Sequence, residues 1–237
     1  MNITIIAALR EELDAFRRAH HLTPAPPRGP VTAFRWRHAA AHVTVLHSGV
    51  GKVSAAMVAQ YAVDHFRPDY LIVTGIAGAL CGRLALGDVV VSRDCVQHDL
   101  DVTALGVPVG QVPRTEHRFL AADPRLVALA MATEVPGQRV VAGRILTGDQ
   151  FVAVAATGQE RLRCLNGTAV EMEGAAVALV AALNRVPFVI VRAVANLADG
   201  AAPAEFGACL QRAADNSCTV CAGILRGLAA DPDRGSG

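Results

Sequence analysis

Six short runs of aliphatic and β-branched residues recur along the chain: Ile3–Ala7, Val43–Leu46, Tyr70–Thr74, Asp88–Ser92, Val140–Leu146 and Phe188–Val191. Each meets glycine or a charged residue within a few positions, and the runs are separated by segments of helical length. Short apolar runs bounded in this way read as buried strands. The segments between them read as helices. One runs from Arg10-Glu-Glu12 through about His20, and one from Ser54 to Phe66 with Ala55, Val58, Ala62 and Phe66 on a single face. Pro124 to Thr133 tolerates its proline in the first turn. Gly174 to Arg185 and Ala208 to Leu228 complete the set. Strands alternating with helices predict an α/β fold, one sheet with helices on its faces, over residues 1–230 as a single domain. Pro24–Pro30 carries four prolines and is expected to be a loop, and the polar tail 231–237 is expected to fray.

Apolar residues make up 52% of the chain and charged residues 18%, enough for a sizeable core and too apolar for disorder. The formal net charge of +1 gives no electrostatic case for nucleic acid or an anionic membrane as partner. No stretch of roughly 18 apolar residues would cross a bilayer. The charges of Arg10, Glu11, Glu12 and Asp14 interrupt the first apolar run too early for a secretory signal, so a cytoplasmic location is expected. The six cysteines are scattered, and the CxxC at Cys218–Cys221 falls inside the last helix, where small core residues are the plain reading. Lys52 is the only lysine, which reads as genome composition rather than function.

Glycine turns follow several strands, at Ser48–Lys52, Gly75–Gly78 and Gly148. Ligands of α/β sheets sit outside the carboxyl ends of strands, and glycine there lets backbone approach closely. Neither GxGxxG nor GxxxxGK[ST] occurs, which argues against dinucleotide and P-loop sites. Val170-Glu-Met-Glu-Gly174 is more specific, because two carboxylates flank a methionine just before an alanine-rich helix. The pair can serve a ligand, or it can serve the helix dipole as a first-turn acidic pair, and the segment alone leaves both open. His47, His98 and His117 form no metal-ligand cluster with carboxylates, so no metal and no cofactor is expected. No Ser-His-Asp order or nucleophile elbow supports acyl transfer.

Nine segments occur in an order that resembles the nucleoside phosphorylase/nucleosidase superfamily: Ala7-Ala-Leu-Arg-Glu-Glu12, Ser48-Gly-Val-Gly-Lys52, Thr74-Gly-Ile-Ala-Gly78, Gly87-Asp-Val-Val-Val-Ser92, His98-Asp-Leu-Asp-Val-Thr-Ala104, Gly110-Gln-Val-Pro113, Gly148-Asp-Gln-Phe151, Val170-Glu-Met-Glu173 and Arg192-Ala-Val-Ala-Asn196. The likeness spans residues 1 to about 225. It is nearest to the 5'-methylthioadenosine/S-adenosylhomocysteine nucleosidases through the HDxDVTA and GQxP segments. It implies a three-layer architecture with a central twisted mixed sheet, a homodimer, and hydrolysis of a purine nucleoside that carries a 5' substituent. It also implies roles. Glu12 would orient and deprotonate the attacking water, with Arg192 holding both. Glu173 would grip the ribose hydroxyls beside Glu171, and Met172 would lie beneath the sugar. Phe151 would stack on the purine while the Val152 backbone reads its edge. Val50, Ile76, Ala77 and Gly78 would line the pocket, Phe206 would close it, and Leu105 and Pro113 would reach into the partner subunit's pocket.

The same resemblance marks two departures. The family's leaving-group acid is the Asp of a Ser-Asp pair, and the matching residues here are Ala195-Asn196. An amide cannot give up a proton at neutral pH. Three readings follow: the enzyme prefers a 6-oxopurine, as futalosine hydrolases and some phosphorylases do; Asp199 serves as the acid; or the protein binds nucleoside and catalyses poorly. The second departure is Ile76, where nucleosidases often carry Ser. Phosphorolysis would need cations around phosphate. Only Arg10 and Arg114 offer themselves, and both read as surface residues. Hydrolysis is therefore preferred, with a purine nucleoside phosphorylase as the alternative.

Overall fold

The computed structural model describes residues 1–25, 31–152, 162, 164–197 and 202–230, with backbone alone for 202–206. Of the expected loop Pro24–Pro30, Pro24 pairs with Phe34 in a short strand instead, and 26–30 lie outside the described residues, as do the tail 231–237, Asp199 and the side chain of Phe206. The described strands are β1 (Asn2–Ala7), β2 (Thr23–Pro24), β3 (Thr32–His38), β4 (Ala41–His47), β5 (Tyr70–Ala79), β6 (Val89–Gln97), β7 (Leu120–Ala121), β8 (Val140–Thr147), β9 (Ala169–Glu171) and β10 (Phe188–Asn196). They form one mixed sheet. The helices are α1 (Arg10–Ala19), α2 (Lys52–Phe66), α3 (Pro124–Met131), α4 (Gly174–Leu183) and α5 (Ala202–Ala230). Helices α1 and α3 pack against α5, and α2 packs against α4, giving the α/β layering expected of the sequence.

Strand β5 is the spine. Every residue from Tyr70 to Ala79 is buried, because β10 runs parallel along one edge and β1 parallel along the first half of the other. Strands covered on both sides need continuous apolar runs rather than alternation, and the β-branched Ile3, Ile5 and Ile6 of β1 meet that demand. At Gly78 the edge that β1 has left is taken by β9, antiparallel. Strand β9 continues to β8, β8 to β6, and β6 back to β10, so five strands close on themselves while β1, β4, β3 and β2 extend as an open arm.

One expectation is corrected here. Gly75–Gly78 is not a turn; it continues β5, because Arg192 to Asn196 of β10 pair with it residue by residue across a bulge. Ladder bonds on that edge outweigh the glycines' weak strand preference. Strand β3 shows no aliphatic run in the sequence, because its half-buried positions carry Phe34 and Trp36 and its exposed ones Arg35 and Arg37.

Helix α1 starts directly beyond β1, with acidic Glu11 and Glu12 in its first turn and Arg17 and Arg18 in its last, signs that suit the helix dipole. Leu13, Ala15 and Phe16 face the core, and Glu12, on the same buried side, is carried inward with them. Helix α2 ends at Arg67 in the left-handed conformation, with Pro68 barring continuation. Helix α4 buries Ala175, Ala176, Ala178 and Ala181; its small side chains let it lie close to the sheet.

Candidate active site

Glu12 is 2% exposed. Its carboxylate is received by backbone. Ala8 and Leu9 donate to Oε2 at 2.8 and 3.0 Å, and Ile76 donates to Oε1 at 3.2 Å. Burial pushes its pKa up, and the Arg192 guanidinium and these three N–H groups oppose the rise without cancelling it. Gly75 makes the approach possible. A Cβ there would lie 2.2 Å from Arg192 Nη1 and 2.4 Å from Glu12 Oε1, and its φ of +150° lies at the margin of glycine territory.

Arg192, in the middle of β10, is 1% exposed. Nη1 donates to the Thr74 carbonyl at 3.2 Å, while Nη2 donates to Glu171 and, at 3.3 Å, to Glu173 Oε2. A buried guanidinium is tolerable only with such company. Three carboxylates share one cation here, so the cluster would hold two uncompensated negative charges if all were ionised. The consequence falls on Glu173. Burial, with Glu171 and Glu12 as like-charged neighbours and Arg192 opposing, raises its pKa from 4.5 to about 7.

The two acids that sequence left ambiguous divide their work. Glu171 accepts from the Gly174 N–H at 3.0 and 2.8 Å, from the Glu173 N–H at 3.2 Å and from the Thr147 hydroxyl. It thus holds the start of α4 and anchors Arg192. Glu173 instead takes a single backbone bond, from Gly51 at 2.8 Å, besides its contact with Arg192.

Glu12, Val50, Ile76, Ala77, Gly78, Phe151, Val152, Glu171, Met172, Glu173, Arg192 and Asn196 all border one cavity of about 180 Å³, beyond the carboxyl end of β1 and along the carboxyl-terminal halves of β5 and β10. Its wall is mostly apolar, with charge confined to the Glu12–Arg192–Glu173 side. Val50 and Phe151 stand at the rim, each about half exposed. Asn196, 3% exposed, is aimed inward where β10 slips register between Val194 and Asn196. A Cβ on Gly78 would come within 2.8 Å of its Oδ1.

Leu105 and Pro113 do not border the cavity; both are exposed on the loop between β6 and β7. Arg10 and Arg114 are exposed and away from it too. Ala8, Leu9, Gln150 and Val170 also line the cavity and were not singled out in the sequence. All four lie in segments that were, so adjacency was the available signal. His98 is buried, packed so closely on Gly148 that a Cβ there would lie 2.3 Å from its Nε2.

A larger groove, about 680 Å³, opens near the amino ends of β1 and β4. Five histidines line it and no carboxylate does, so it offers no buried acid for base chemistry. Among the described residues no group of three or more His, Cys, Asp or Glu is arranged to hold a metal. No described helix is long and apolar enough to cross a membrane. Burial pushes the Cys218 and Cys221 thiols up, which leaves them protonated and inert, as the core reading requires.

The chain matches the model of the phosphorylase superfamily over residues 2–226. It is 37% identical over 234 residues to the 5'-methylthioadenosine/S-adenosylhomocysteine nucleosidase of Actinobacillus succinogenes, covering 96% of this chain and all of that one. The corresponding nucleosidase of Colwellia psychrerythraea, solved in complex with adenine, superposes with a TM-score of 0.90 at 31% identity over 96% of both chains. A futalosine hydrolase mutant of Helicobacter pylori superposes with a TM-score of 0.86 at 28% identity, over 95% of this chain and 99% of that one.

Proposed function

The chain belongs to the 5'-methylthioadenosine/S-adenosylhomocysteine nucleosidases of the phosphorylase superfamily, N-glycosidases that hydrolyse, and on that premise we propose that it hydrolyses a 5'-substituted purine nucleoside with a preference for a 6-oxopurine base. The observation that carries the reading is the single cavity bordered by Glu12, Arg192, the Met172–Glu173 pair and Asn196.

Departure of a purine leaves an oxocarbenium-like sugar, which nearby carboxylates stabilise. Glu173, tied to Gly51, grips the ribose hydroxyls, and Met172 lies beneath the ring. Glu12 takes the proton of the attacking water. The three N–H groups and Arg192 oppose the rise in pKa that burial imposes and fix the direction of the carboxylate. Phe151 stacks on the base at the rim. Arg192 is the only cation bordering the cavity among the described residues, and its bonds to Thr74, Glu171 and Glu173 leave little of it for a phosphate. Water is therefore the acceptor.

Asn196 sets the base. An amide offers both a donor and an acceptor but no transferable proton. Its NH₂ suits a 6-oxo group and its oxygen suits a protonated imidazole nitrogen, a pattern that hypoxanthine or guanine satisfies better than adenine. The likeness to a futalosine hydrolase is in keeping with this. Leu105 and Val53, each 81% exposed, and Met57 one turn along α2 from Val53, present apolar side chains that a second copy would cover, which supports a homodimer.

The test is a panel of adenosine and inosine derivatives, with and without 5'-thioalkyl groups and with and without phosphate, read as released base and sugar product. Inosine derivatives with a 5' substituent are expected to turn over fastest, phosphate-independently. Ribose 1-phosphate as product would defeat hydrolysis, faster adenine release would defeat the 6-oxo preference, and binding without turnover would make the protein a nucleoside-binding homologue.

A further inference from the structure

One of the 22 basic Lys and Arg residues of this chain is lysine, and it lies two residues beyond Val50 of the cavity rim. Lys52 Nζ donates to Asp99 Oδ1 at 2.7 Å and to Gln97 Oε1 at 3.2 Å. The backbone N–H of the same residue, first in α2, donates to Asp149 Oδ1 at 2.8 Å. The Asp149 N–H in turn donates to Asp99 Oδ2 at 2.9 Å. The three residues thus close a ring. The side chains of Lys52 and Asp99 are only 19% and 18% exposed, so salt screens the pair weakly. Burial pushes the Asp99 carboxyl up, but Lys52 and the Asp149 N–H outweigh it and hold the group below its ordinary range.

Two corners of the ring lead into the cavity. Asp149 supplies the carboxylate that the N-cap of α2, Gly51, has no side chain to supply. Gly51 sits at φ +97°, and a Cβ there would approach Asp149 Oδ1 to 3.1 Å. Its own N–H carries the bond to Glu173. Gln150, Phe151 and Val152 follow Asp149 without a break and border the cavity. A shift of Asp149 against Lys52 therefore moves the base-side rim and the Glu173 anchor together.

We propose that Lys52, Asp99 and Asp149 are positioning residues that hold the two mouth loops in register, and that position 52 takes an ammonium and not a guanidinium. An ammonium is a compact donor that reaches two oxygens from one atom; a guanidinium is a broad planar fork. In a chain whose other cations are all arginine, that geometric demand accounts for the one exception. The inference rests on the nucleoside reading of the cavity, since its kinetic test needs a substrate.

The variants Lys52→Arg, Lys52→Met and Asp99→Asn are compared with the parent for KM, kcat and the amide resonance of Gly51. Lys52→Met and Asp99→Asn are expected to raise KM by roughly 10- to 100-fold, with a smaller change in kcat, since sub-ångström misplacement of binding groups has effects of this order. Lys52→Arg, which keeps the charge, is expected to raise KM several-fold and to move the Gly51 amide resonance. A role in stability alone would lower Tm and leave both unmoved. Reductive ¹³C-dimethylation of the folded parent modifies its one lysine beside the N-terminal amine. It keeps the charge, removes two of three donors, and provides a readout should a variant fail to fold. The labelled side chain is expected to shift when hypoxanthine or adenine is added. KM and kcat within twofold of the parent in Lys52→Arg, with the Gly51 resonance unmoved, would overturn the inference. A parent that releases base from no nucleoside would overturn the nucleoside reading instead, and the Gly51 resonance would then decide the ring by itself.

Discussion

Replacing Glu173 by glutamine should make the protein more stable and less active, and the gain in stability should depend on pH. The folded protein holds this carboxyl almost fully buried, between Glu171, Glu12 and Arg192, with a pKa of about 7 in place of 4.5. A carboxyl whose folded pKa is raised favours the protonated fold. The penalty is absent below about pH 4.5, grows from there to about 7, and is complete above it. At about 1.4 kcal/mol per pH unit across that interval, ionised Glu173 costs the fold about 3 kcal/mol at pH 8. Glutamine has the shape of the protonated acid and never ionises. Glu173→Gln should therefore match the parent near pH 4.5 and exceed it by about 3 kcal/mol at pH 8. For a chain of this size that is a rise in Tm of about 10 °C. Thermal unfolding followed by far-UV circular dichroism at pH 5, 6, 7 and 8, without ligand, reads the difference. A gap between the two proteins that is the same at pH 5 and pH 8, or a variant less stable at pH 8, would refute the reasoning.

The remaining expectations are simpler. Glu12→Gln should abolish turnover while nucleoside affinity, read by calorimetry, survives; normal activity would remove Glu12 from the role of base. Asn196→Asp restores a transferable proton and should speed release of adenine by roughly 10²-fold; no gain would mean that Asn196 does not stand at the leaving group. Sedimentation equilibrium should find a dimer, and Leu105→Asp should weaken it; a monomeric parent at micromolar concentration would dismiss the assembly.

Much of the strand and helix order was legible because both-sided burial writes itself as long aliphatic runs, as in Ile3–Ala7 and Tyr70–Thr74. Strand β5 was cut short in the reading because glycine favours turns locally. The partner that overrides this preference, Arg192 to Asn196, lies more than a hundred residues away. Separation along the chain also hid the division between Glu171 and Glu173. Which acid caps α4 depends on Thr147 and Arg192, and neither is adjacent in sequence. Glu12 and Arg192 were named through resemblance alone; nothing in their local pattern foretells three backbone donors or a guanidinium shared among acids. Lys52 was visible as a compositional oddity, but its partners Asp99 and Asp149 belong to loops that only the fold brings together.

The handover on one edge of β5, where β1 departs and β9 takes its place at Gly78, leaves a fork in the sheet, and the cavity lies in that fork. Along it runs the stretch Ile76–Gly78, held by ladder bonds to β10. A pocket bordered by backbone held in this way can exchange one side-chain atom for another, as an amide for a carboxyl at the buried position 196, and keep its shape. Changes of side-chain chemistry in this cavity can thus come by single substitutions, with the sheet around it left as it is.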